Sequence, residues 1–357
     1  MTDTTIQLGA GAHPDTIAPE FRFRRLRRSS GLRSLLQETS VSMDDFILPI
    51  FVEETIKEPQ EISSMPGVFR YPESQLGGVI QRAWSKGIKA IILFGVSHHK
   101  DDCGSDTWSD QGLMARMIHT AKSAQPQMLV ISDNCFCEYT DHGHCGVLTR
   151  GAVSDGAVNN GSRHDHLDSD VDNDATLVNL QKQVLVAARA GVDMIAPSGM
   201  MDGMISAIRQ ILDESGFSHI PVMSYSTKFA SAFYGPFRDA VDSNFKGSRH
   251  SYQMNPANGR EALAESLQDE VEGADILMVK PGLAYLDVIA EIRLNSSRPI
   301  AVYQVSGEYA MIKAGAAAGV IDEKAIVLET MIAFKRAGCD LIITYYAEQL
   351  SDWLATE

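Results

Sequence analysis

The chain has 357 residues, 44% of them hydrophobic and 22% charged, which supplies apolar material for a large core and argues against extensive disorder. Its 31 Lys and Arg against 46 Asp and Glu give a formal charge of −15, the wrong sign for an electrostatic grip on nucleic acid or an anionic membrane. No apolar run reaches the ~18 residues of a membrane span, residues 1–19 lack the pattern of a signal peptide, and a cytoplasmic location is expected.

Residues 21–33, FRFRRLRRSSGLR, are rich in arginine and precede the first core strand. Short, isolated and set in an acidic protein, the run reads as part of an N-terminal arm, residues 1–40, that docks on a neighbouring subunit rather than on nucleic acid. Residues 41–357 are expected to form a single catalytic domain.

Eight apolar runs follow: DFILPIFV at 45–52, AIILFGV at 90–96, MLVISDN at 128–134, DMIAPSG at 193–199, IPVMSYSTK at 220–228, DILMVKPG at 275–282, IAVYQVSG at 300–307 and DLIITYY at 340–346. Their nearly unbroken hydrophobicity is the pattern of strands covered on both faces. Segments of helical period separate them, among others 111–124, 177–190, 202–215, 261–272 and 323–337. Eight strand–helix units with no GxGxxG after the first strand predict an α/β fold, a closed (β/α)8 TIM barrel, rather than a dinucleotide-binding open sheet. In such a barrel the carboxyl ends of the strands meet at one mouth. Asp133, Cys135, Ser198, Lys228, Lys280, Ser306 and Tyr345 would be neighbours there.

Lys228 and Lys280 each end an apolar run. Either lysine alone could snorkel to solvent or pair with a carboxylate. Two at one mouth disfavour each other's charged form, and a neutral amine attacks a ketone or aldehyde to give a Schiff base, an electron sink that opens carbon–carbon bond formation. The five cysteines are odd in number, and three fall within DNCFCEYTDHGHCG, so they read as ligands rather than bridges. Cys135, Cys137 and Cys145, spaced C-x-C-x7-C, suit zinc, and three ligands leave a fourth position for water or substrate, as catalytic sites do. His142 or His144 as a fourth ligand would make the site structural, and ordinary buried cysteines are the plainer alternative.

Arg238 in FYGPFRD and Arg249 in KGSRHSY fall in the long connection after the fifth strand, where they either clamp a carboxylate from a lid or lie on a solvated loop. His164, Asp165, His166, Asp168, Asp170 and Asp172 mix ligand types without fixed spacing. They read as a solvated loop leading into a helix capped by Asn173 or Asp174.

The segments CFCEYTDHGHCG, VDNDAT, KFASAFYGPFRDA, RHSYQMNPAN, MVKPGLAYLD, VYQVSGEYAM and FKRAGCDLIITYY together resemble the δ-aminolevulinic acid dehydratase (porphobilinogen synthase) family, over residues 22–353. The resemblance implies condensation of two 5-aminolevulinate molecules to porphobilinogen with loss of two waters, an early step toward haem and other tetrapyrroles. It assigns to Lys280 the Schiff base with the substrate that becomes the propionate side, and to Lys228 the acetate-side substrate. It assigns a catalytic Zn2+ to Cys135, Cys137 and Cys145. Asp133 and Ser198 would line the propionate-side pocket, and Tyr234 would contact substrate. Arg238 and Arg249 would grip one carboxylate from a lid, Ser306 and Tyr345 the other.

Glu265, fifteen residues before the Schiff-base lysine, matches a glutamate that binds an allosteric Mg2+ in bacterial relatives, with an exposed helix glutamate as the alternative. The resemblance also implies a homo-octamer assembled through the arm. Two positions depart from the family pattern. Gly199 replaces an aspartate in APSGMMDG, and Ser251 stands where some relatives carry a cysteine of a second zinc site, so one zinc per subunit is expected. A zinc-independent Schiff-base aldolase and a non-catalytic metal-binding scaffold are the competing readings.

Overall fold

Each of the eight apolar runs forms a strand: β1 Phe46–Glu53, β2 Ala90–Val96, β3 Leu129–Asn134, β4 Met194–Pro197, β5 Met223–Lys228, β6 Ile276–Lys280, β7 Ile300–Tyr303 and β8 Leu341–Ile343. All pair in parallel, in the hydrogen-bonded order β4-β3-β2-β1-β8-β7-β6-β5. A parallel bridge from Ile195 in β4 to Val222, just before β5, brings the two ends of that order together. The result is a (β/α)8 TIM barrel, and β1, β5 and β6 are buried at every position, as strands covered on both faces must be. A short antiparallel ribbon, Gln60–Glu61 with Phe69–Pro72, extends the sheet beside the end of β1.

The computed structural model describes residues 22–149, 170–241 and 248–355. Contacts divide the chain into two units, Met1–Ser40 and Val41–Glu357. Within the first, a 3-10 turn, Phe23–Arg27, precedes a helix, Ser30–Leu35, capped by Ser29, whose side chain accepts from Leu32 N. Neither element buries a residue, and Phe23 and Leu35 are 74% and 78% exposed. Among the described residues, no helix is long and apolar enough to cross a membrane.

In the second unit the segments of helical period become helices Leu113–Ala124, Asn173–Arg189, Met204–Glu214, Gly259–Glu272 and Glu323–Ala337. Their buried residues recur at helical spacing, as with Met204, Ile205, Ile208 and Leu212, so each helix lays one apolar stripe on the barrel wall. The start of Asn173–Arg189 differs from expectation. Asp172 is the cap, its Oδ1 accepting from Ala175 N at 3.0 Å, because it is the residue still in extended conformation when the helix begins. Asn173 instead exchanges two hydrogen bonds with the backbone of Asp202, at 3.1 and 2.8 Å. Of the polar cluster before this helix, His164, Asp165, His166 and Asp168 lie outside the described residues. Replacing Asp172 by alanine is expected to cost about 1 kcal/mol of stability and replacing exposed Asp174 much less, which urea unfolding of the two variants would measure.

Candidate active site

Strands β5 and β6 set two lysines side by side: Lys228 and Lys280 are direct partners in the parallel ladder and are only 5% and 6% exposed. This pairing depends on a register shift between Ser224 and Thr227. Strict alternation would turn Tyr225 and Lys228 to opposite faces of the sheet. The irregularity instead sends the consecutive Ser226 and Thr227 outward together, both to Ser266 Oγ on helix Gly259–Glu272, at 3.0 and 2.8 Å. Lys228 is thereby re-aimed to the side that Tyr225 faces. The Tyr225 ring lies 5.6 Å from Lys228 Nζ and 5.1 Å from Lys280 Nζ.

Lys280 Nζ also stands 4.2 Å from the Tyr303 ring centre, with Phe237 and Tyr234 at 5.3 and 5.5 Å. Burial, and then the neighbouring Lys228, push the Lys280 amine down to about 7, with Asp133 partly opposing. Lys228 Nζ donates to Ser198 O at 2.6 Å, and Ser198 Oγ donates to Asp133 Oδ2 at 3.1 Å. Burial pushes the Asp133 carboxyl up despite the two lysines.

The cysteine loop begins at the end of β3. Amides of Tyr139 and Thr140 both donate to Phe136 O, Thr140 Oγ1 donates to His144 O, and the chain turns back so that Cys145 rejoins Cys135 and Cys137. The three buried sulfurs lie within 4.8 Å of one another, Cys135 and Cys137 at 3.3 Å. Hydrogen bonds from Cys135 and Cys137 hold the Cys145 thiol well below its ordinary range, while hydrogen bonds with Cys135 and then Cys145, and burial after them, push Cys137 up. Three soft donors converging in this way could bind a metal ion. Neither histidine joins them: His142 contacts Asp102 O and His144 N, and His144 Nδ1 lies 3.3 Å from the Tyr252 hydroxyl. The donor set therefore fits an open, three-thiolate site better than a closed structural one.

A cavity of about 280 Å³ unites these parts. Its wall carries Lys228, Lys280, Asp133, Ser198, Tyr234, Arg238, Arg249, Ser306 and Tyr345, and Cys137 brings the thiol cluster to its edge. Phe94 and Phe237, edge to face at 5.7 Å, supply apolar wall. Arg238 is exposed on the short helix Gly235–Ala240; Arg249 is half-buried and donates from Nη2 to Gly143 O in the cysteine loop at 2.9 Å. Glu265 lies outside this cavity, half-buried in a separate depression with Asp202, Asp269 and Glu272. Burial, and then Glu261, push its carboxyl up to about 7.

Several residues of the site carry no signal in the sequence. Tyr225 sits within a run that reads only as strand, and its place against both amines depends on the bulge. Gln253 lines the cavity, and its buried Nε2 has no hydrogen-bond partner among the described residues, a donor that is costly to bury unless a ligand accepts from it. Glu138, buried on the cavity wall beside Cys137, has its carboxyl pushed up to about 7 by burial and then by Asp133.

A (β/α)8 barrel with paired, buried amines and a thiol cluster at its carboxyl-end mouth belongs to a narrow class, barrels whose mouth has the groups for carbonyl chemistry beside thiols that could bind a metal. The family model "Delta-aminolevulinic acid dehydratase" matches residues 20–353, and the chain belongs to that family. It is 54% identical to the delta-aminolevulinic acid dehydratase of Escherichia coli over 93% of this chain and 97% of that one. It is 48% identical to the Helicobacter pylori dehydratase over 93% and 98%. It superposes with a TM-score of 0.87 on the Toxoplasma gondii delta-aminolevulinic acid dehydratase (porphobilinogen synthase), 42% identical and solved with the reaction product porphobilinogen, covering 95% of this chain and 92% of that one.

At Gly199 there is room for a side chain. A Cβ there would meet only Cys145 O at 3.6 Å and Met201 Cγ at 3.9 Å, ordinary contact distances, and the backbone is not left-handed. Gly199→Ala is therefore expected to stabilise the fold by about 0.5 kcal/mol, through the smaller freedom of its unfolded chain. Urea unfolding checks this, and a loss above about 1 kcal/mol would contradict the open space at this position.

Proposed function

We propose that this protein condenses two molecules of 5-aminolevulinate to porphobilinogen with release of two waters, an early step of tetrapyrrole synthesis. The observation that carries this reading is the ladder pairing of Lys228 with Lys280 in one cavity edged by three thiols, in a chain of this family.

In this reading the neutral Lys280 amine adds to the ketone of the propionate-side substrate. The nitrogen lone pair forms the new C–N bond, the carbonyl oxygen takes a proton, and loss of water leaves a protonated imine beside the Tyr303 ring. Lys228 receives the acetate-side substrate in the same way. The protonated imine withdraws electrons from the adjacent carbon, so that carbon can lose a proton and form the carbon–carbon bond. Asp133, bonded to Ser198 and raised by burial, is placed to hold a proton in transit.

Arg238 and Arg249, with Gln253, grip the acetate-side carboxylate; Ser306 and Tyr345 take the other, and Tyr234 packs over Lys280. Cys135, Cys137 and Cys145 would hold one Zn2+, which when bound supplies a Lewis acid at the cavity edge. Glu265, with the hard oxygens of Asp202, Asp269 and Glu272 nearby, is the candidate for a distant, modulatory Mg2+. Exposed Phe23, Leu26 and Leu35 support residues 1–40 as an arm that assembles subunits, as a homo-octamer. All five cysteines are unpaired, which supports a reducing, cytoplasmic setting.

Porphobilinogen formation from 5-aminolevulinate tests the whole reading: chelation should abolish it and Zn2+ restore it, with Mg2+ stimulation lost in Glu265→Ala. Activity surviving complete zinc removal would leave the lysines and remove the catalytic zinc. A second expectation follows from the lowered Lys280 pKa. Only the neutral amine attacks, so borohydride trapping of substrate on Lys280 should rise as pH increases through about 7. Lys228→Met removes the neighbouring cation and should move that inflection upward; an unmoved inflection would show that burial acts alone.

A further inference from the structure

Lys280 ends β6, and Ser306 opens the helix Ser306–Ala317 after β7. The backbone segments that carry them are joined by one side chain, Glu308, which is 2% exposed. Its Oε2 accepts from Val305 N at 2.6 Å, the bond a glutamate in this position makes to cap its own helix. The remaining bonds are not helix capping. Gly282 N donates to Oε2 at 3.4 Å and Leu283 N to Oε1 at 2.5 Å, and both amides belong to the chain that leaves Lys280.

The other side of Lys280 is held as well. Its carbonyl accepts from Phe229 N at 3.0 Å and from the Tyr234 hydroxyl at 3.2 Å. The turn bearing Tyr234 packs directly on the Ser306 segment: a Cβ on Gly307 would stand 2.5 Å from Phe233 O. Ser306 Oγ donates to that oxygen at a long 3.4 Å, a hydrogen the hydroxyl turns to the carboxylate when substrate is bound. These contacts form a closed circuit from Lys280 through Glu308 to Ser306 and back through Tyr234. An acceptor-only group is required where three amides converge, and keeping it out of water has a cost, since burial pushes the Glu308 carboxyl up to about 7.

We propose that Glu308 is a positioning residue that sets the span between the Lys280 amine and the Ser306 hydroxyl, so that one substrate molecule meets the first with its ketone and the second with its carboxylate. The inference rests on the imine at Lys280 proposed above. It makes Glu308 a determinant of specificity for keto acids over ketones that lack the carboxylate, without contact with either.

The test compares borohydride trapping on Lys280, located by peptide mass, for 5-aminolevulinate and for aminoacetone, which carries the amino ketone but no carboxylate. The zinc-loaded, assembled protein is used throughout. In the parent protein 5-aminolevulinate should saturate at the lower concentration. Glu308→Gln replaces one acceptor oxygen with a donor, and should raise the half-saturating 5-aminolevulinate concentration about tenfold while leaving that of aminoacetone within about twofold. Glu308→Asp keeps the charge at the helix start but withdraws it from Gly282 and Leu283, and should show the same selective loss. Asp322→Ala, which removes the cap of helix Glu323–Ala337, serves as a control for lowered stability and should change neither ligand. Parent-like preference in both Glu308 variants, or an equal loss for both ligands, would overturn the positioning role. No trapping of either ligand on Lys280 in the parent protein would instead overturn the function on which it rests.

Discussion

Two amines held against each other away from water are the constraint around which the mouth of this barrel is built. A lysine side chain leaving bulk solvent loses hydration that the protein must replace or else loses its proton. Both responses are visible. Lys228 gives its donor to the Ser198 carbonyl, while Lys280 is surrounded by aromatic faces and shifts toward the neutral form. In the proposed reading the shift matters at Lys280, because imine formation there needs an amine that can attack and surroundings that tolerate positive charge once the imine is protonated. The faces of Tyr303 and Tyr225 meet the second need, and the nearby Asp133 carboxyl adds to it.

The cysteine loop connects to this amine pair through structure as well as through the cavity edge. Asp133 is the next-to-last residue of the strand that launches Cys135, and it accepts from Ser198, the residue that holds Lys228. Arg249 reaches from the segment after β5 to Gly143 within the cysteine loop. Folding the loop around the three sulfurs therefore also orders one wall of the cavity. A metal that fixes the sulfurs would restrain the Arg249 segment too, because that arginine is tied to the loop's backbone.

The architecture was legible in the sequence because the eight strands are buried on both sides over nearly their whole length, and a run such as DILMVKPG cannot be mistaken for an amphipathic surface. The lysine pair, the cysteine triad and the cavity residues were legible for a related reason. Each sits at a strand end or in a motif whose chemistry is unusual for its surroundings. What escaped was geometry that pattern cannot encode. The bulge in β5 breaks the alternation that a period-two reading assumes, so Tyr225 and Lys228 share a side while Ser226 and Thr227 share the other. The helix cap moved to Asp172 because Asn173 was engaged elsewhere, by the backbone of Asp202, a contact between segments distant in sequence. Gln253 and Glu308 are ordinary residue types whose importance lies in what surrounds them.

Glu308 and the β5 bulge solve complementary parts of one problem. A barrel of parallel strands brings functional groups to a common level, but strand register comes in whole residues and cannot adjust a reactive amine by a fraction of an ångström. The bulge makes the coarse correction, choosing which side chains enter the mouth. Hydrogen bonds between the loops make the fine one, because the strand ends extend beyond the last ladder bonds and would otherwise carry amides with no partner. A carboxylate that accepts from two loops at once turns those leftover donors into a fixed relation between Lys280 and Ser306, which in the proposed reading are the group that forms the covalent bond and the group that anchors the far end of the substrate. Positional accuracy of this kind is what allows a bound reactant to behave as part of the same molecule as the nucleophile.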